Sequence, residues 1–117
     1  MKIVTIFKSD PAARHLDREK EFEEMGKLIN ELTSKGALVD TGGALEEGFS
    51  ATVRRTGSDI RVTDGPFTES KEIVGGFAIF EVQSKEEALE YTRRFLEIAG
   101  DGSVDLHEVG ETPKFGP

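Results

Sequence analysis

Two short runs, Met1 to Lys8 and Gly75 to Val82, carry apolar residues on both faces of an extended chain. In strand alternation Ile3, Thr5 and Phe7 fall on one side, and Val4 and Ile6 on the other. Phe77 and Ile79 likewise oppose Ala78, Phe80 and Val82. A strand that is apolar on both sides needs cover on both sides. The two runs therefore predict interior strands of one sheet, and the cover must come from somewhere.

The 117 residues suit one domain spanning 1–117, large enough to bury a core without staples. Between the two runs, Asp17 to Lys35 reads as a helix. Phe22, Met25, Ile29 and Leu32 recur at helical spacing, and Leu28 widens the stripe. Acidic residues crowd its start, and Gly36 is a left-handed C-cap in waiting. Before it, Ser9-Asp10-Pro11 ends the first strand, with Asp10 placed to cap a short helical turn through Arg14. Ala37 to Asp40 reads as a short strand, after which Gly42-Gly43 loosens the chain and Leu45 to Gly48 is loop. Ser50 to Thr56 and Ile60 to Thr63 read as a hairpin turning at Gly57-Ser58-Asp59. Ser84 with Glu87 forms a capping box. The helix behind it runs to about Ala99, buries Ala88, Leu89, Phe95, Leu96 and Ala99, and stops at Gly100. Ser103 to Val109 is the last strand, and Gly110 to Pro117 is a tail.

The order β-α-β-(β-β)-β-α-β reduces, without its inserted hairpin, to βαββαβ, the ferredoxin-like plan of the α+β class. Both helices then cover one face of one antiparallel sheet. Nothing in so short a chain is left for the other face, so a second copy of the same sheet is its expected cover, giving a homodimer.

Composition narrows the function classes. The formal net charge is −8, and the only basic doublets are Arg54-Arg55 and Arg93-Arg94. A nucleic-acid binder needs a basic surface, so that class is set aside. There is no cysteine, hence no disulfide, thiolate nucleophile or zinc knuckle. No apolar run is long enough for a bilayer, and the first eight residues alternate too much for a signal peptide. A cytoplasmic protein without membrane contact is the expectation. His15 with Asp17 and Glu19 is too loose a set for a metal, and the glycine pairs lack the pattern of a phosphate loop. No metal and no cofactor are expected.

The stretch Asp64-Gly65-Pro66-Phe67-Thr68-Glu69-Ser70-Lys71-Glu72 joins the hairpin to the central strand. Pro66 must stop a strand, because it has no N–H for a ladder. The Asp64 carboxylate can accept N–H groups from Phe67 or Thr68, which would make it architectural. Left free beside the sheet, it can act as a general base near Lys71.

These nine residues, followed by Gly75-Gly76-Phe77-Ala78-Ile79-Phe80-Glu81-Val82 and Ser84 to Tyr91, resemble the YCII-related family in its DGPF branch. The likeness runs from Met1 to about Val109. It implies a ferredoxin-like fold and dimers that form an α/β barrel. It also implies action on small, often cyclic organic molecules, and in the YciI-type branch a proposed catalytic His–Asp pair. DGPF-branch genes often neighbour those of alternative sigma factors, which implies a regulatory association. The chain departs from the YciI-type pattern, because Glu21-Phe22-Glu23-Glu24-Met25 holds no histidine and His15 precedes that helix. The His–Asp role is therefore not carried across.

On alternation His107 shares a face with Asp105, away from Val104 and Leu106. If the latter pack under the helices, His107 faces the open side of the sheet, as a proton shuttle or as a hydrogen-bonded interface residue. Arg54 and Arg55 point to opposite faces of the hairpin, where an arginine can clamp a carboxylate or guard a strand edge. The first expectation is a small-molecule site between the helix-free face and the Asp64 loop, near the dimer interface. Asp64 and His107 are its acid–base pair, and Arg61, Lys71, Glu72 and Asp105 its ligand contacts. The chemistry would be proton abstraction or elimination on a small carbonyl compound. The alternative is a non-catalytic dimeric module that binds a partner or tunes a regulator. An apolar pocket with converging polar groups favours the first; a filled or flat dimer face favours the second.

Overall fold

The structure, a computed structural model, describes residues 1–10, 12, 17–45, 47–64 and 73–111. Its elements in order are β1 (Lys2–Ser9), α1 (Arg18–Ser34), β2 (Leu38–Gly43), β3 (Ala51–Thr56), β4 (Asp59–Asp64), β5 (Ile73–Glu81), α2 (Lys85–Ala99) and β6 (Gly102–Val109). Four strands form one sheet in the order β2-β5-β1-β6, with every neighbour antiparallel. That is the ferredoxin-like arrangement, with β1 and β5 in the interior as their two-sided apolar pattern requires. β3 and β4 form a separate two-stranded sheet.

Local chemistry sets the helix ends. Asp17 is the N-cap of α1 and accepts the Lys20 N–H at 2.9 Å. Gly36 follows the helix at φ +75°, where a side chain would be strained. Ser84 caps α2 by accepting the Glu87 N–H at 3.2 Å, and the Glu87 carboxylate reaches back to the Gln83 N–H at 3.0 Å. The capping box is present, with its return bond one residue earlier than the usual pattern. Asp10 accepts the Ala12 N–H at 2.9 Å; the rest of the short turn expected through Arg14 lies outside the described residues.

Both helices lie on one face of the sheet. Ile3 pairs with Phe80 and Thr5 with Ala78 on that face. Leu28 and Leu32 from α1 and Ala88 from α2 join Ile3, Leu38, Phe80 and Val82 in the core, with Thr92 buried nearby. Leu106 packs against this cluster, so Asp105 and His107 point to the other face. A bidentate pair ties the helices together: Arg94 Nη1 and Nη2 donate to Glu31 Oε2 and Oε1 at 2.7 and 2.9 Å. That pair, helped by Lys35, holds the Glu31 carboxyl at about 2, below its ordinary 4.5.

Two expectations are corrected. Gly42 and Gly43 do not loosen the chain; they are the last rungs of β2, opposite Phe77 and Gly76. A Cβ on Gly42 would come within 2.8 Å of the Phe77 ring, so the glycine is there to admit that ring. Phe22 is not part of the buried stripe of α1 but is 85% exposed. It lies in the second turn of the helix, and the core contacts of α1 come from Leu28 and Leu32 nearer its end.

The helix-free face carries Val4 and Ile6, paired with Ile79 and Phe77. It has no cover within the chain among the described residues: Val4, Ile6 and Ile79 are half-buried, and Phe77 is 38% exposed. The β3–β4 arm stands clear of the body. Among the described residues its only extensive packing is between its own two strands.

Candidate functional site

An open-mouthed cavity of about 300 Å³ lies between the two helices and the sheet. Its position follows from side-chain size along the strands. At one end of the sheet Ile3, Leu38 and Phe80 fill the gap to the helices. At the other end Ala78 is the small side chain under the helices, with Gly42, Gly75 and Gly76 at the border, and the space above Ala78 stays open. The cavity is therefore on the helix-covered side. The expected site lies elsewhere, between the helix-free face and the Asp64 loop, and residues 65–72 of that loop are outside the described residues.

Aromatic rings make its walls. Phe7 lies between Gly75 on one neighbouring strand and Gly102 on the other; a Cβ at either position would come within 2.7–2.8 Å of its ring. Phe7 meets Phe95 edge-on, with centroids 4.9 Å apart and planes at 81°. Phe80 and Tyr91 make a second edge-on pair at 5.9 Å. The lining hydroxyls are already engaged. Thr5 Oγ1 donates to the Ala78 carbonyl at 2.9 Å, Thr41 Oγ1 to that of Phe77 at 2.8 Å, and Thr92 Oγ1 to that of Ala88 at 2.8 Å. Among the described residues Tyr91 is the only ionisable one lining the cavity, and its hydroxyl donates to Glu87 Oε1 at 3.0 Å. That bond, followed by burial, pushes the phenol above its ordinary pKa. The same glutamate thus closes the capping box of α2 and orients the one acid in the cavity wall.

The residues singled out from sequence are spread over three places. Asp64 ends β4 and pairs with Ala51 at the base of the arm, exposed. Arg61, on the same strand, donates from Nε to Asp59 Oδ2 at 2.8 Å and is also exposed. Asp105 and His107 sit together on the helix-free face, opposite Ile6 and Val4. Lys8 Nζ lies 2.8 Å from Asp105, and that bond, reinforced by His107, lowers the carboxyl below its usual range. Both residues border an open groove of about 800 Å³ along β6 and the start of α2. Lys71, Glu72 and His15 lie outside the described residues. Among the described residues, Asp64 and His107 are not brought together, and neither lines the cavity. No group of three His, Asp or Glu side chains among them is placed to hold a metal.

Sequence reasoning passed over Tyr91, Phe95 and the glycine pairs. The available signal was the sole tyrosine of the chain on an apolar helical stripe, together with two Gly-Gly steps at strand ends.

Over 101 aligned residues the chain is 28% identical to an uncharacterised protein of Rhizobium meliloti (strain 1021), covering 81% of this chain and 82% of that one. Among solved structures it is similar to 5-chloro-2-hydroxyhydroquinone dehydrochlorinase from Burkholderia phenoliruptrix AC1100, in complex with 2,5-dihydroxybenzoquinone. The TM-score is 0.55, with 15% identity over 96% of both chains, a likeness of fold. Residues 1–109 match the YCII-related domain, and the chain belongs to the YCII-related family.

Proposed function

We propose that this protein binds, and transforms, a small cyclic organic molecule in the cavity between its helices and its sheet. The observation that carries this is the cavity itself: about 300 Å³, walled by two edge-on aromatic pairs and left unfilled. An apolar cavity of about 150 Å³ holds benzene, so this one has room for a substituted ring or two fused rings. The open apolar cavity supports the small-molecule reading. The dehydrochlorinase of similar fold, solved with a dihydroxybenzoquinone, supports the size and cyclic character of the ligand. Any proton transfer inside the cavity falls to Tyr91: with its own proton held by Glu87, the phenol oxygen can accept a hydrogen bond from a ring hydroxyl. Asp64 and His107 keep the proposed acid–base role only for a ligand held outside the cavity, His107 with Asp105 at the groove beside β6.

The protein is further proposed to work as a homodimer through its helix-free face, since Val4, Ile6, Phe77 and Ile79 have no cover among the described residues. A monomer by light scattering removes that part. The binding reading is tested by thermal shift against neutral ring compounds (quinones, hydroquinones, lactones) with small acyclic acids as controls. A ligand-dependent rise of the midpoint for ring compounds is expected, lost in the cavity-filling variant Ala78→Leu. A rise that persists in that variant, or none with any ring compound, overturns it.

A further inference from the structure

Every side-chain hydroxyl that lines the cavity among the described residues has already committed its proton. Thr5 and Thr41 donate to strand carbonyls, Thr92 donates to a carbonyl of its own helix, and Tyr91 donates to Glu87. A carbonyl oxygen can only accept, so the direction of the three threonine bonds is fixed by their partners. Glu87 fixes the fourth: its Oε2 accepts the Gln83 N–H while its Oε1 takes the phenol proton. Thr5 Oγ1 also accepts the Ala78 N–H at 3.1 Å, which engages that oxygen in both senses. These side chains therefore offer a ligand oxygen lone pairs and no O–H donor.

Charge points the same way. No Lys, Arg or His lines the cavity among the described residues. Arg94, one turn on from Tyr91, is clamped by both oxygens of Glu31. The charge behind the phenol is the Glu87 carboxylate, 3.0 Å away. A ring carboxylate or phosphate ester would give up its water there and meet no lining cation. A ring with only carbonyl or ether oxygens would set those oxygens against the cavity's own. A ring hydroxyl or amine instead meets Tyr91 Oη, whose lone pairs the carboxylate behind it makes a stronger acceptor.

On the ring-binding role proposed above, we infer that the cavity selects uncharged rings that bring their own hydrogen-bond donors (phenols, hydroquinones, aromatic amines), with Tyr91 Oη as the acceptor, and disfavours ring carboxylates and rings bearing only carbonyl or ether oxygens. The test is calorimetric titration of the full chain with hydroquinone, its dimethyl ether and para-hydroxybenzoate. The ether keeps both oxygens and loses the donors; the benzoate keeps a donor and adds a negative charge. Hydroquinone should bind at least about tenfold more tightly than either. In Tyr91→Phe, which keeps the aromatic ring and removes the oxygen, hydroquinone should weaken until its lead over the ether is lost. Glu87→Ala frees the phenol proton and removes the charge, so the ether and the benzoate should both bind more tightly than they do to wild type. If wild type binds the ether or the benzoate as tightly as hydroquinone, the selection is overturned while ring binding stands; this comparison needs no variant to fold. A hydroquinone preference that survives Tyr91→Phe, or a Glu87→Ala protein that treats the ether and the benzoate as wild type does, overturns the part given to the phenol. Binding of none of the three removes the ring-binding role itself, and the selection with it.

Discussion

Replacing Ala78 by leucine should make this protein more stable, which is the reverse of what the same change does in a tight core. Ala78 lies on the interior strand β5, under the helices, yet it is only half-buried because the cavity opens above it. Its backbone carbonyl and N–H bond Thr5 Oγ1 at 2.9 and 3.1 Å, and a longer side chain leaves those bonds untouched. Leucine adds three carbons. At about 0.8 kcal/mol per buried CH₂ the gain is at most about 2.4 kcal/mol. Ordering the side chain takes back about 0.5–1 kcal/mol, so a net gain of about 1–2 kcal/mol is expected. Unfolding entropy of about 2.1 cal/mol/K per residue over 117 residues makes each kcal/mol worth about 4 °C. The midpoint should therefore rise by about 4–8 °C, read by calorimetry or circular dichroism without ligand. In a close-packed site the same substitution forces strain of about 1–3 kcal/mol and lowers the midpoint by a similar amount. A fall of that size would show that the space above Ala78 is not open, and the proposed binding site would go with it.

Two further outcomes follow from particular contacts. Glu31 is held at about 2 by the Arg94 guanidinium, below its ordinary 4.5, so the folded state favours its ionised form. The stability it contributes is fully present above pH 4.5 and is lost as pH falls through 2. Glu31→Gln should lower the midpoint at neutral pH and flatten the fall of midpoint with pH across that window; parallel curves for the two proteins would refute the linkage. Phe22→Ser, at a ring 85% exposed, should move the midpoint by no more than about 2 °C, whereas a loss of several kcal/mol would mean the ring is covered in solution.

Much of the fold was legible in the residues because local chemistry and burial pattern agreed. Asp17, Gly36, Ser84 and Gly100 mark helix ends through hydrogen bonds or positive φ that depend on neighbours in sequence. The hairpin turn at Gly57 is of the same kind. Phe22 misled because helical spacing shows which face a side chain is on but not whether anything is packed against that turn of the helix. Gly42-Gly43 misled because a glycine that weakens a strand in isolation can be required by a ring on the next strand. The candidate site was hardest to see. Asp64, Arg61, Asp105 and His107 stand out as polar residues, yet the cavity is built from Phe7, Phe95, Tyr91 and glycines, which in a linear chain look like ordinary core.

By itself the sequence determined the element order, the interior position of β1 and β5, the helix caps and the family. Each rests on near-neighbour chemistry or on a period of two or 3.6 residues. Only the tertiary structure decided where empty space lies and which polar groups meet. The cavity lies where Gly75, Gly76 and Ala78 on β5 come beside Gly42 on β2, far from them along the chain, under the helices. Asp64 and His107 end up apart for the same reason: one belongs to an arm outside the four-stranded sheet, the other to an edge strand of that sheet.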